Sequence, residues 1–272
     1  MKVGRIIIVA GLIVILLSAG LLAGCTREPL QPGDENAETR TYDFTGFSEV
    51  EIEDAFIASV TYADTFSINV TARENVINRV NVSVEGNTLK LGLDGWSWLW
   101  FLRGTPTAVI TMPALSALKI SGASQVDVQG FSSGDDLGIE VSGASTINFD
   151  DMESGDFNAV ISGASRVRGS LNAAGSDFEL SGASQLELTG KADDLKIEAS
   201  GASNVNLAGF PADNADIELS GASRGEVSVS GELDVTLSGA SRLRYSGNPQ
   251  LGRVDVSGAS SLDNAGASGN DE

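Results

Sequence analysis

Apolar and polar residues alternate on both sides of a tetrapeptide, Ser-Gly-Ala-Ser (SGAS), that recurs through the second half of the chain. The residues three and one before each SGAS are apolar, as in Ile139 and Val141, and those five and seven after it are mostly apolar, as in Leu186 and Leu188. A period of two predicts β-strands with one buried face. Each SGAS is therefore expected to connect two short strands.

Eight copies of SGAS follow one another at intervals of 18 to 21 residues. They begin at Ser121, Ser142, Ser162, Ser181, Ser200, Ser220, Ser238 and Ser257. A unit of this length cannot bury its apolar face alone, so the interval predicts a stack of similar turns. We predict an all-β fold, a parallel β-helix (β-solenoid) of about 19–20 residues per turn over residues 113–262.

Two other repeat architectures fit the sequence less well. A helical repeat is inconsistent with an apolar period of two. A propeller needs about 40 residues per blade and would have to pair successive SGAS units, whose near-identity argues against pairing. Glycine at the second position of SGAS indicates a tight corner or a close approach of two backbones.

Residues 40–112 lack SGAS but keep the strand pattern, as in 49–58 and 88–93. We interpret them as an irregular N-terminal β region that caps the first turn of the solenoid, with a separate β-sandwich domain as the alternative. At the other end, residues 263–272 are mostly polar and are expected to form a disordered tail.

The first 25 residues have the three parts of a secretory signal. Lys2 and Arg5 precede an apolar run from residue 6 to residue 22, and the run ends in Leu-Ala-Gly-Cys. These last four residues resemble the bacterial lipobox, which predicts a lipoprotein signal peptide over residues 1–24 and lipid attachment at Cys25. The alternative is an uncleaved transmembrane anchor, because 17 apolar residues approach spanning length.

Residues 25–39 contain two prolines, several acids and few apolar residues, so they are predicted to be a flexible tether after the lipidated cysteine. Through this N terminus the chain is expected to contact a membrane. Because Thr26 and not Asp follows Cys25, we expect the outer membrane in a bacterium with two membranes, and otherwise the outer face of the plasma membrane.

Charge and composition exclude several classes of function. The sequence has 37 acidic and 17 basic residues, a net charge of −20, so no nucleic-acid partner is expected. It has no histidine and one cysteine, which removes the usual neutral-pH base and the common zinc ligands. Aromatic residues are 6%, so the core is expected to consist of Val, Ile, Leu and Ala. No catalytic residue, metal site or cofactor is predicted.

Two groups of side chains are candidates for binding. Trp96, Trp98 and Trp100 lie close together in the sequence and predict either a docking site for a membrane, a glycan or another envelope protein, or a cap over the end of the solenoid. Glu179, Glu198 and Glu218 each stand two residues before an SGAS. Stacked turns would place them above one another, which suggests a weak site for a divalent cation.

The sequence as a whole resembles a known family. The lipobox, the segments YDFTGFSEVEI, VNVSVEGNTLKLGL and TMPALSALKISGAS, and the later SGAS units are similar to the bacterial family of putative auto-transporter adhesins with a head GIN domain, over about residues 42–262. The resemblance implies a right-handed parallel β-helix exposed at the cell envelope. It carries no catalytic motif.

The sequence therefore favours a lipid-anchored, non-enzymatic surface module with an adhesion-like or structural role. The alternative is a carbohydrate-active β-helix enzyme, a polysaccharide lyase or hydrolase, because such enzymes use paired carboxylates and acids are plentiful here. Residues 221–225 match the pattern G-x-S-x-G of a serine nucleophile elbow, but the same serine recurs in every turn and no histidine accompanies it.

Overall fold

A computed structural model describes residues 36–95 and 104–265. In this part of the chain 21 strands and one helical turn belong to a single continuous β structure. The elements are β1 (Ala37–Tyr42), β2 (Glu49–Ile52), β3 (Ile57–Tyr62), β4 (Ser67–Arg73), α1 (Glu74–Ile77), β5 (Val80–Glu85), β6 (Thr88–Leu93), β7 (Thr107–Met112), β8 (Ala117–Ile120), β9 (Gln125–Gln129), β10 (Leu137–Val141), β11 (Thr146–Ser154), β12 (Phe157–Ile161), β13 (Arg166–Ala173), β14 (Gly175–Leu180), β15 (Gln185–Ala199), β16 (Asn204–Leu219), β17 (Arg224–Val229), β18 (Glu232–Leu237), β19 (Arg242–Ser246), β20 (Gln250–Val256) and β21 (Ser261–Asn264).

The strands form two parallel columns, one on each side of the SGAS corners. The first column runs in the order β6, β2, β8, β10, β12, β14, the second half of β15, the second half of β16, β18 and β20. The second column runs β7, β3, β9, β11, β13, the first halves of β15 and β16, β17, β19 and β21. The predicted β-solenoid is confirmed.

Each turn bends again beyond the second column. In β13 the burial pattern changes from strict alternation to two adjacent unburied residues, Gly169 and Ser170, before the buried Leu171. Between β11 and β13 the register also shifts after Phe149. A break of this kind shows where the chain turns back toward the first column of the next turn.

The N-terminal end has a different order in space than in sequence. Strands β2 and β3 (49–62) make one turn, and β6 and β7 make the turn outside it, although they follow later in the chain. Antiparallel strands complete this end: β5 pairs with β6, β4 with β7 and β1 with β4. Residues 37–112 thus continue the same sheet.

The turn 49–62 also contains a corner that SGAS does not mark. Residues 53–56, Glu-Asp-Ala-Phe, lie directly against the first SGAS, because Ala123 N donates to Asp54 O at 2.6 Å and Gln125 N to Phe56 O at 2.8 Å. Asp54 has a φ of 69°, the conformation that glycine has in the SGAS corners. Aspartate is one of the few residues besides glycine that tolerates this region.

The core between the columns is apolar, but it is not purely aliphatic as composition suggested. Phenylalanine rings form a column inside it: the ring centroids of Phe149 and Phe157 are 5.6 Å apart, those of Phe157 and Phe178 5.9 Å, and those of Phe178 and Phe210 6.4 Å. Three of these, Phe157, Phe178 and Phe210, are among the largest fully buried side chains.

At the C-terminal end, Asp263 and Asn264 belong to β21, where they pair with Arg244 and Tyr245. The sequence assigned both residues to the tail. The remaining tail residues, 266–272, lie outside the described part of the chain.

Candidate binding faces

The SGAS corners fix the alignment of every turn on the next. All eight corner glycines have φ between 71° and 80°. A Cβ atom on Gly201 would lie 2.4 Å from the carbonyl oxygen of Gly182. Backbone hydrogen bonds continue through the corner, as from Ala183 N to Gly163 O at 2.8 Å. Only glycine meets both requirements, the positive φ and the close approach.

The last serine of each of the first seven corners is buried. Its hydroxyl commonly donates to the carbonyl oxygen of the first serine in the same corner, as from Ser203 to Ser200 at 2.8 Å and from Ser241 to Ser238 at 2.8 Å. Ser223, the serine of the G-x-S-x-G match, is 0% exposed in the same position. It is therefore a corner serine that no substrate reaches.

The first column presents an acidic face, defined here as the outward side chains of β10, β12, β14, β15 (194–199), β16 (214–219) and β18. The structure places the three predicted glutamates in register, Glu179 on Glu198 and Glu198 on Glu218. Val160 precedes them in the same row. Sequence spacing therefore predicted their alignment correctly.

A lysine already neutralises part of this row. Lys196 Nζ lies 2.8 Å from Glu198 Oε1 and 3.4 Å from Asp177 Oδ2. The hydrogen bond to Glu198 and the charge of Asp177 raise the pKa of Lys196. Lys119 likewise lies 3.2 Å from Glu140, and that contact raises the pKa of Lys119. Within residues 36–95 and 104–265, no group of three or more acidic side chains has an arrangement that could hold a metal ion. Cation binding by the glutamate row stays a prediction.

Other acids on this face have a structural task. Asp136 Oδ1 accepts from the backbone N–H of Asp156 at 2.8 Å, and Asp156 Oδ1 accepts from that of Gly175 at 3.2 Å. Three turns further along, the amide Asn214 Oδ1 accepts from Glu232 N at 3.2 Å. These side chains stand at the start of their turns and satisfy backbone donors that the turn leaves free.

An open groove of about 560 Å³ follows these rows along the acidic face. Its lining includes Asp177, Asp194, Asp216, Asp234 and Lys196. The groove repeats similar groups on successive turns, whereas an acid–base pair needs two carboxylates in different environments.

The second column presents a face of opposite character, which the sequence prediction missed. The residue directly after each SGAS forms one continuous row in register. We call it the arginine row: Gln125, Thr146, Arg166, Gln185, Asn204, Arg224, Arg242 and Ser261. It contains no acid, although the chain has 37. The sequence does contain the information that predicts this row, because the residue after each SGAS is never acidic.

The next outward row of the second column mixes both charges. It consists of Asp127, Asn148, Arg168, Glu187, Asn206, Glu226, Arg244 and Asp263. Arg168 Nε donates to Asn148 Oδ1 at 2.6 Å, and Arg244 lies 4.0 Å from Glu226. Five of the chain's arginines therefore lie in these two rows, together with four acids.

Two predicted sites lie outside the described residues. Trp96, Trp98 and Trp100 belong to the segment 96–103, which lies between β6 and β7 in the sequence. Cys25 and the whole signal and tether region precede residue 36. In the described part, no helix is long and apolar enough to cross a membrane.

Solved structures with the same fold cover nearly the whole described chain. A protein described as a putative adhesin from Parabacteroides merdae is 15% identical with a TM-score of 0.71, over 86% of this chain and 98% of that one. One described as a putative lipid binding protein from Parabacteroides distasonis is 16% identical with a TM-score of 0.75, over the same shares. A putative adhesin from Bacteroides fragilis is 17% identical with a TM-score of 0.66, over 85% of this chain and 97% of that one.

At this level of identity the likeness shows the fold alone. No curated protein sequence matches this chain. The family described as "putative auto-transporter adhesin, head GIN domain" matches residues 46–249, which span β2 to β19 and three quarters of the sequence. The stacked SGAS corners, the two columns of strands and this match together show that the chain belongs to that family.

Proposed function

We propose that the protein is a lipid-anchored, non-enzymatic binding module of the cell envelope, with an adhesion-like or structural role. Its membrane contact would be made through lipid on Cys25, and its partner would be a glycan or another envelope protein. Membership of an adhesin-like family supports a location at the surface or in the envelope. The lipobox supports the anchor, and the order signal, tether, rod is that of a displayed module.

One observation carries the non-enzymatic part of the proposal. Outward side chains of the repeat lie in rows of similar groups that continue over successive turns, such as Glu179, Glu198 and Glu218. A carbohydrate-active site needs two carboxylates in different environments, one of them held protonated as the proton donor. A surface that repeats along a rod offers many equivalent contacts and is suited to extended or multivalent partners.

The alternative, a carbohydrate-active enzyme, would use the acidic groove. Asp177, Asp194 and Asp216 are its candidates for an acid–base pair. Two of these carboxylates, however, already bind neighbouring side chains: Asp177 Oδ2 lies 3.4 Å from Lys196 Nζ, and Asp194 Oδ1 accepts from Asn214 Nδ2 at 3.0 Å. These contacts hold the carboxylates in structural roles.

A glycan array probed with the full chain, purified in detergent, tests the proposal. We expect selective retention of some glycans without shortening of the bound chains. The triple variant Trp96→Ala, Trp98→Ala, Trp100→Ala is measured in parallel, since loss of binding at an unchanged melting temperature would assign the tryptophans to docking. Release of shortened glycans, abolished by Asp194→Asn with Asp216→Asn, would establish the enzyme instead.

The anchor has its own test in cells. Metabolic labelling with a palmitate analogue should mark the protein, and Cys25→Ser should remove both the label and the membrane association. Label-free protein that stays in the membrane fraction would indicate an uncleaved transmembrane segment. The membrane that retains the labelled protein, found by fractionation, then decides between the two expected locations.

A further inference from the structure

We propose that the arginine row, together with Arg244, binds a uronate-bearing polysaccharide laid along the rod. This inference rests on the proposed binding function and names its ligand class. The decisive part is an open groove of about 580 Å³ near the C-terminal end of the second column. Three arginines line it, Arg224, Arg242 and Arg244, together with the amides of residues 204 and 206 and two acids, Glu226 and Asp263.

The first argument is that two cations of the groove face the same way without an acid between them. Arg224 and Arg242 are directly opposite each other on neighbouring parallel strands. Strands in a sheet are about 4.8 Å apart, so the two guanidinium groups repel each other when nothing neutralises them. A carboxylate placed between them would bond both and remove that repulsion, because guanidinium groups bind carboxylates with paired hydrogen bonds.

The second argument is that these arginines keep free donors. In the described residues the side chain of Arg224 has no hydrogen-bond or ion-pair partner, and the side chain of Arg242 uses only its Nε, which donates to Ser261 Oγ at 3.2 Å. Arg244 Nη1 lies 4.0 Å from Glu226 Oε1, which is long for an ion pair, and more than half of each side chain is exposed. Pairs as loose and exposed as this one contribute little and exchange readily with a ligand.

The third argument concerns the neutral groups of the row. Gln185 and Asn204 stand in register beneath Arg224 and continue the row toward Arg166. Amide side chains both donate and accept, so they suit the hydroxyl groups of a sugar better than a bare phosphate surface. Guanidinium and amide groups along one line match a uronate polymer, because each uronate residue carries both a carboxylate and hydroxyl groups.

The acidic face restricts the side of the rod to which an anionic polymer can bind. An anionic polymer is repelled from the first column, where Glu179, Glu198 and Glu218 stand in line, and is attracted only to the second. A net charge of −20 therefore does not exclude an anionic ligand; it restricts that ligand to one side of the rod.

Binding of the full chain in detergent to polygalacturonate, measured by calorimetry at low and physiological salt, tests the inference. We expect Arg224→Gln with Arg242→Gln to weaken binding at least about tenfold and to reduce its salt dependence. The matched control, Lys119→Gln with Arg253→Gln, changes the net charge equally on the other column and should stay within about twofold. Neutral dextran should not bind.

The contrary results are distinct. Equal losses in the two double variants would show a general charge effect and overturn the site. Binding to phosphatidylglycerol vesicles without binding to polygalacturonate would assign the row to a membrane surface and overturn the glycan. Retention of other glycans that is unaffected by Arg224→Gln with Arg242→Gln would leave the proposed function standing and refute this inference alone.

Discussion

The carbonyl oxygen of Asp54 lies 1.9 Å from the place that a Cβ atom on Gly122 would occupy. Asp54 has the positive φ of a corner glycine and, through Oδ2, accepts a hydrogen bond from Leu93 N at 2.7 Å. The corner at Asp54, which has no glycine, therefore packs against the first SGAS corner. The side chain of Asp54 also links the turn 49–62 to β6 through its hydrogen bond.

Substitution of Asp54 separates these two contributions. Asp54→Ala should destabilise the protein by about 1–3 kcal/mol, because alanine is strained at this φ and loses the bond to Leu93. Asp54→Gly relieves the strain and should cost less. Urea unfolding measures both, with exposed Glu53→Ala expected within about 0.5 kcal/mol as the control. A glycine variant as unstable as the alanine variant would contradict the strain.

A methyl group inside the stack of corners should be tolerated poorly. Gly201→Ala forces a side chain into the positive φ region and against Gly182 O, and we expect a loss of about 2–4 kcal/mol. The matched control is Ala202→Ser, one residue on and exposed, which should change stability by less than about 0.5 kcal/mol. Thermal unfolding compares the two; similar melting temperatures would show that the corners do not need glycine.

The phenylalanine column is expected to dominate core stability. Phe178 contacts both Phe157 and Phe210, so Phe178→Ala leaves a cavity and should cost about 3–5 kcal/mol, while Phe178→Leu should cost less than about 2 kcal/mol. Val160→Ala removes an exposed side chain of the adjoining strand and serves as the control. Chemical denaturation gives all three values, and an alanine variant no weaker than the control would contradict the expectation.

Lys196, which lies beside the glutamate row, is expected to make the stability of the folded protein depend on pH in the alkaline range. Since the pKa of Lys196 is raised in the folded state, its pairing stabilises the protein below the ordinary lysine pKa of 10.5 and is lost as pH rises through the raised value. Lys196→Met should lower stability at pH 7 by less than about 1 kcal/mol, because the pair is exposed. Melting curves from pH 7 to 11.5 should show the difference from the natural protein shrinking above pH 10.5.

High salt offers a second check on the same pair. The difference between Lys196→Met and the natural protein should also shrink as ionic strength rises, because exposed charges are screened. A difference that is constant across pH and salt would assign the effect of Lys196 to packing of its aliphatic stem.

Calcium binding by the glutamate row is predicted to be weak. The carboxylates of Glu179, Glu198 and Glu218 are aligned, but Lys196 competes for the middle one, so we expect a dissociation constant near the millimolar range typical of loose extracellular sites. Calorimetric titration of the full chain should show heat that Glu179→Gln with Glu218→Gln removes. Absence of both heat and a thermal shift at 10 mM calcium, roughly ten times that constant, would end the prediction.

The repeat made most of the fold predictable, because strand period and corner position are local properties. Leu186 and Leu188 reveal an inward face, and Gly201 reveals a corner, without knowledge of the rest. The corner at Asp54 was missed because it shares only the alanine with SGAS. The order of β2 and β6 was not predictable, since it depends on pairing between strands nearly 40 residues apart in the chain.

The candidate surfaces were predictable only in part. The alignment of Glu179 with Glu198 follows from the interval between turns. The net charge gives one value for both faces and therefore did not indicate that Arg224 and Arg242 lie together on one of them. Their position directly after SGAS would have predicted it. The aromatic fraction likewise averaged over the chain and gave no sign that Phe157, Phe178 and Phe210 share one column.

At the N-terminal end the order of strands in the sheet differs from their order in the sequence. This difference limits when the first turn can fold in a chain that emerges from the ribosome or a translocon in sequence order. The segment 49–62 acquires its lower neighbour only when residues 117–129 have appeared, and its upper neighbour is made from residues 88–112. Between residues 36 and 87, which the structure describes, no other strand pairs in parallel with this segment. Nucleation should therefore wait until almost half of the chain is out, after which later turns add one at a time to a template that is already complete.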